Sequence, residues 1–263
     1  MSSFVEYADI EREAQKVGDI SRQTIGIWCT SHFPRMINIL LKLNYFIENS
    51  SNGNIKSDPA ACYVAIVHEK YIEAPHSLYA CNDLMVKGHY LNAIIQARAL
   101  FDSFVTCKYL YTRREHAIPY LLKEKIFVGK DEKYLGMGDM YKALGRKKFY
   151  DKYWGDILSN IAHAKPGIVY FRINKRTGRW RMVPEFDINE ATIIINMLMP
   201  VIYGFIINYE HFFEGHVSEI PVETREEAKA VLALIKKHQD NMSAKYAYMA
   251  DWLGEVNALC DIM

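Results

Sequence analysis

Apolar residues recur three and four positions apart along most of the chain, the spacing that places them on one face of an α-helix. A further helix start is indicated by Asp58-Pro59, an N-cap residue followed by proline at the first helical position, and Pro75 is expected to break that helix. The ranges that show the helical pattern are 4–17, 20–47, 58–75, 76–111, 115–128, 132–144, 147–164, 188–213 and 223–261. The pattern predicts a helical protein.

Two stretches, 168–173 and 179–183, have the composition of strands, and a five-residue connection ending in Gly178 joins them. This predicts a β-hairpin over about 168–183. The predicted fold is therefore all-α, a bundle of about eight helices with one inserted β-hairpin. No repeat divides the chain, and the only loops long enough to be linkers are 49–57 and 215–222, so residues 1–263 are expected to form a single helical domain.

The segment 191–209 carries no charged residue and is long enough to be tested as a membrane span. Asn196 and Pro200 interrupt it, and both of its flanks are acidic, whereas a span is oriented by flanking Lys and Arg. A helix that is apolar on all sides is otherwise buried in protein. We therefore expect a central core helix and no membrane partner.

Composition places the chain among ordinary globular proteins. It has 263 residues, of which 50% are apolar and 24% are charged, so disorder and fibrous folds are excluded. Its five cysteines are scattered, which predicts reduced thiols in a core and no zinc site. The N-terminal residues are acidic and are not followed by an apolar run, so no signal peptide is expected and the predicted location is cytoplasmic. No cofactor motif is present.

One charged pair lies within an apolar helical stretch, 90–111. Arg98 shares a helical stripe with Ile94 and Phe101, and Asp102 follows four residues later, where the two side chains can pair. An unpaired buried charge would be costly, so a partner is required. The pair either fixes how helices pack or forms a pocket in which Arg98 binds an anion.

A second polar stripe runs along 147–164, where Asp156, Asn160 and His163 occupy positions four and three residues apart. His163 lies near the predicted helix C-terminus, where the helix dipole favours its protonated form. A histidine at that place more often caps a helix than catalyses. It becomes a candidate general acid or base only if the fold brings it to Arg98.

Two segments, 84–111 and 153–166, resemble the signature stretches of a bacterial family of unknown function. The matching residues are Arg98, Leu100 and Asp102, then Leu158, Ser159 and His163. Asp102 stands where that family usually has Glu. The resemblance implies an all-helical architecture and a candidate catalytic cluster of Arg98, Asp102 and His163. HEPN-type helical ribonucleases are a more distant likeness, and their Arg-x4-6-His motif is absent here.

The near-neutral total charge hides a basic central segment. Residues 113–181 hold 17 Lys and Arg against 7 Asp and Glu, while 182–263 hold 5 against 13. Basic residues interleaved with an aromatic one suit phosphate contacts and base stacking. The candidate nucleic-acid-binding residues are Arg172, Lys175, Arg176, Arg179, Trp180 and Arg181. The alternatives are that this face packs against the chain's own acidic helices or that its charges only make a hairpin soluble.

The C-terminal region 223–261 has a seven-residue apolar pattern that includes Ala228, Ile235 and Val256. Such a stripe either packs on the chain's own core or pairs with a second copy to form a homodimer. Three function classes stay open: a non-catalytic binding or interaction protein, a nucleic-acid-directed and nuclease-like defence or toxin component, and a bundle that binds a small ligand.

Overall fold

The computed structural model describes residues 7–47, 54–128, 130–152, 173, 183–245 and 247–260. The predicted fold class is confirmed: the protein is an all-α bundle with an inserted two-stranded antiparallel hairpin. The elements are α1 Tyr7–Thr24, a π-helical segment Trp28–His32, α2 Phe33–Tyr45, α3 Pro59–Val86, α4 Tyr90–Thr112, a 3₁₀ turn Arg114–His116, α5 Ala117–Leu122, β1 Lys125–Val128, β2 Asp131–Tyr134, α6 Met137–Ala143, α7 Lys147–Phe149, α8 Ile188–Ile207, α9 Tyr209–Phe212, α10 Val222–Lys245 and α11 Ala247–Cys260.

Helix α3 begins as the sequence predicts and continues where the sequence predicts a break. The Asp58 side chain accepts hydrogen bonds from the backbone amides of the first turn, which is N-capping. The expected interruption at Pro75 is wrong, because α3 runs through it. Proline has no N–H for the carbonyl of Tyr71, four residues earlier. That carbonyl accepts instead from the side-chain amide of Asn44 on α2, at 2.7 Å.

Helix α8 is the predicted core helix. It is long and apolar enough to cross a membrane, but 78% of its apolar window is buried inside the fold. Helices α4 and α8 run alongside each other in the same direction. Near their first turns the amide of Asp187 donates to the Tyr90 hydroxyl at 3.0 Å, and farther along Gly204 lies against the Phe104 ring.

The observed hairpin is not at the predicted place. Residues 125–128 and 131–134 form its strands, where the sequence predicts helices over 115–128 and 132–144. The half-buried side chains of Ile126 and Val128 alternate with an exposed Phe127, which is strand periodicity over a stretch too short to be separated from a helix pattern. The hairpin predicted over 168–183 lies almost wholly outside the described residues.

The C-terminal region, predicted as a long helical region over 223–261, forms the two helices α10 and α11. The side chains of Ile235 and Val256 from the seven-residue pattern are fully buried in the chain's own core. The last carbonyls of α11 are held by side chains from elsewhere: Lys108 donates to Leu259 at 2.6 Å and Asn208 to Cys260 at 2.8 Å. Pairing with a second copy stays a prediction.

Candidate functional site

The predicted pair on α4 is formed. The Nε atom of Arg98 lies 3.6 Å from Oδ2 of Asp102, and the two side chains are 18% and 26% exposed. They are neither extended into solvent nor sealed in the core. The pair therefore has the half-buried position in which a charge needs a partner but water still reaches it.

Helix α6 packs beside this pair and adds a residue that the sequence did not suggest. The Thr106 hydroxyl on α4 lies 3.8 Å from the sulfur of Met140, which fixes the contact between the two helices. Tyr141, fully buried on α6, has its phenol pKa raised by burial, with the Asp102 carboxylate adding to the rise and Arg98 opposing it. Both charges of the pair therefore lie on the side of α4 that faces α6, as expected for an ion pair that fixes how the two helices pack.

His163, the third residue of the predicted catalytic cluster, lies outside the described residues. Of that cluster the structure brings together Arg98 and Asp102, and both of their charges act on the phenol of Tyr141. A nuclease-like role that uses His163 as general acid or base beside Arg98 stays a prediction.

The six candidate nucleic-acid-binding residues of the predicted hairpin also lie outside the described residues. The structure describes the first part of the basic segment, 113–152, which holds 11 Lys and Arg against 6 Asp and Glu. Three of its cations pair within the segment: Arg113 with Glu115 at 4.0 Å, Lys133 with Asp139 at 2.6 Å and Lys147 with Asp151 at 2.5 Å. This part is therefore basic and partly neutralised by its own acids.

One side chain makes the contacts expected if the basic segment packs on the chain's own acidic helices. Arg146 lies 3.6 Å from Glu255 of α11 and donates to the carbonyl of Ala258 at 3.1 Å. By contrast, Lys123 and Lys130, at the base and the turn of the hairpin, make no ion pair with any residue in the described ranges. The segment is thus tied to α11 at one end and open at the hairpin.

The hairpin presents two aromatic rings on one face. Lys125 pairs with Tyr134 and Phe127 with Glu132, so these four side chains point to the same side of the two strands. Phe127 is 71% exposed and Tyr134 is 63% exposed. The ammonium of Lys125 lies 5.9 Å from the centre of the Tyr134 ring, within the range of a cation–π contact. This face was missed because the segment was predicted as helix; the Ile126-Phe127-Val128 run before Gly129 was its only local signal.

The cysteines have the predicted state. All five are buried free thiols. Burial raises the pKa of Cys29 to about 11 and that of Cys81 to about 12, so both thiols are protonated at neutral pH. A protonated buried thiol is a poor nucleophile. Within the described part of the chain, no group of three or more His, Cys, Asp or Glu side chains is placed to hold a metal ion.

Comparison of the chain with models of known protein families, with curated proteins and with solved structures finds no match. The resemblance to a bacterial family therefore stays a prediction, and function has to be argued from the site itself.

Proposed function

We propose that this chain is a helical binding protein of the bacterial cytoplasm and that its partner is single-stranded nucleic acid, contacted through the β1–β2 hairpin. One observation carries the proposal: Phe127 and Tyr134 are both largely exposed on the same face of the hairpin, with lysines around them. Exposed rings cost hydration free energy unless a partner covers them. The buried free thiols favour a reducing compartment.

The arrangement of the two rings favours single strands. Phe127 and Tyr134 are diagonal neighbours across the strand pair, and such neighbours lie about 7–8 Å apart. That is roughly twice the 3.4 Å step between nucleotides in a duplex. Two bases stacked on these rings would therefore have to be pulled apart from each other, which a single strand allows and a duplex resists. Stacking of this kind tolerates any base.

The charges around the rings support a contact with phosphates, although a modest one. Lys123, Lys125 and Lys130 are exposed at the hairpin. Glu124, Asp131 and Glu132 lie beside them in the chain. Three phosphate contacts to a single strand predict a salt slope of about −2 in log affinity against log salt. Stacking is therefore expected to contribute more to affinity than charge does.

The test is a fluorescence-anisotropy titration with a labelled RNA of about 12 nucleotides, single-stranded or annealed to its complement, at about 50 mM salt. The wild type is expected to bind the single strand more tightly. Replacing Phe127 and Tyr134 by alanine should weaken binding about 30-fold or more, because stacking contributes about 1–3 kcal/mol for each base.

A matched control is available on α3. Tyr79 is 63% exposed, the same fraction as Tyr134, and it lies outside the hairpin. Tyr79→Ala should leave the affinity unchanged. Absence of binding by the wild type, or equal binding by the double hairpin variant, would refute the proposal.

A further inference from the structure

A tryptophan lies between two histidines where three helical elements meet. The ring centre of Trp28 is 4.8 Å from that of His32 and 4.5 Å from that of His238, and both contacts are edge-on. Trp28 and His32 are the first and last residues of the π-helical segment, and His238 comes from α10. The cluster thus joins the start of α2 to a C-terminal helix that is far away in sequence.

Helix α8 completes the cluster with a neutral partner. The Nε2 atom of His238 lies 2.8 Å from Oδ1 of Asn196, which is 2% exposed. The Nδ1 atom of His32 is buried and has no hydrogen-bond partner in the described structure. Neither ring is matched here by a carboxylate that would favour an imidazolium.

The described groups that act on the two imidazoles are an arginine and the other imidazole, and neither is an acid. Arg35 of α2 acts on His32, and His32 of the π-helical segment acts on His238 of α10, while α8 supplies the uncharged Asn196. Burial lowers the pKa of His238 to about 4, and His32 adds to the decrease. Burial also lowers the pKa of His32, with Arg35 contributing. Both imidazoles are therefore neutral at pH 7 and resist protonation in the folded protein.

We propose that His32, Trp28 and His238 form an acid-sensitive latch that holds α10 against the π-helical segment and α8, and that opens when an imidazole is protonated. The π-helical segment is the element that can respond. Such segments are rare, occur mostly as single turns and are frequently found at functional sites. A charge placed beside Trp28 has no anion to pair with among the described groups, so separation of α10 relieves the repulsion. This inference is independent of nucleic-acid binding.

The direction of the pH effect follows from the lowered pKa values. An open or unfolded imidazole takes up a proton below about pH 6.5, whereas the closed His238 resists until about pH 4. Opening therefore becomes more favourable as pH falls from about 6.5 to 4, by at most about tenfold for each pH unit and for each imidazole that titrates. Above pH 7 the latch makes no pH-dependent contribution.

Hydrogen exchange measured by mass spectrometry at pH 7.5 and 5.0 tests the latch. Protection factors, which correct for the intrinsic effect of pH on exchange, should fall several-fold in peptides from α10 and from the π-helical segment. His238→Gln keeps a side chain that can bond to Asn196 but does not titrate, so only His32 is left to respond and the loss of protection at pH 5.0 should be clearly smaller than in the wild type. His76→Gln on α3 is the control, because His76 is exposed; it should behave as the wild type.

Two results would overturn the proposal. The first is an equal loss of protection in the wild type and in His238→Gln. The second is a loss spread over all helices instead of confined to α10 and the π-helical segment. If His238→Gln does not fold, His32→Gln serves in its place, and an NMR titration of the wild-type His238 ring decides the matter: a midpoint near pH 6.5 contradicts the latch.

Discussion

Replacing Asn44 by leucine tests the hydrogen bond that allows α3 to continue through Pro75. The Asn44 amide donates to the carbonyl of Tyr71 at 2.7 Å, and Tyr71 is fully buried. Leucine has nearly the shape of asparagine but no donor, so the carbonyl would lose its partner without gaining space for water. Leaving a buried carbonyl unpaired costs about 1–3 kcal/mol. We expect the free energy of unfolding to fall by that amount.

A second substitution shows whether the loss arises from this bond. In Pro75→Ala the amide of residue 75 regains its N–H, which lies one helical turn from the Tyr71 carbonyl and can donate to it. In that background Asn44→Leu should cost less than about 1 kcal/mol, so the double-mutant cycle should give a coupling of about 1–2 kcal/mol.

Guanidinium unfolding followed by far-ultraviolet circular dichroism measures each free energy. Asn38→Leu is the control, since Asn38 is exposed on the same helix, and it should stay within about 0.5 kcal/mol of the wild type. Equal costs of Asn44→Leu with and without Pro75 would refute the reasoning.

Two more substitutions test the core and the charged pair by thermal or chemical unfolding. Gly204→Ala should destabilise by about 1–2 kcal/mol, because its Cβ would lie 2.7 Å from the buried Phe104 ring and overpacking exceeds the gain of about 1 kcal/mol in helix propensity. Gly254→Ala should stabilise the protein, because Gly254 is a helical residue with open space around it. If both substitutions changed the free energy of unfolding in the same direction, the close packing of Gly204 against Phe104 would be contradicted. Arg98→Ala should lower the free energy of unfolding by about 1–3 kcal/mol, which is less than for a fully buried ion pair. In a protein that already carries Asp102→Asn, the same substitution should cost less. An unchanged cost in that background would show that the loss does not come from the ion pair.

Local rules predicted the parts of the fold that depend on neighbouring residues. Asp58 followed by Pro59 marks a helix start because the cap and the ring act within one turn. The start of α8 at Ile188 was predicted in the same way, but its end was not, because the predicted run continued to 213 while α8 ends at Ile207 and a short helix follows. The passage of α3 through Pro75 could not be predicted, since the donor that rescues it lies on another helix, 27 residues from Tyr71.

The hairpin shows why a short strand is difficult to predict from sequence. Four residues contain only two inward positions, and Ile126 and Val128 also fit the edge of a helix pattern that continues from α5. What decides between them is the pairing with residues 131–134, a contact that periodicity does not contain. The exposed face of the hairpin could therefore not be predicted, because its residues were expected to form a helix.

The candidate sites differ in the same way. Arg98 and Asp102 could be paired from sequence because four residues on one helix bring side chains together. His32 and His238 could not, because each is an isolated histidine on its own helix and only the packing of α10 brings both to Trp28. Exposure alone is equally uninformative: Tyr79 and Tyr134 are exposed to the same extent, but Tyr134 has Phe127 on the same face. The second ring on the same face is what makes a binding surface. Comparing substitutions of Tyr79 and Tyr134 therefore tests whether binding depends on the pair of rings and not on an exposed tyrosine as such.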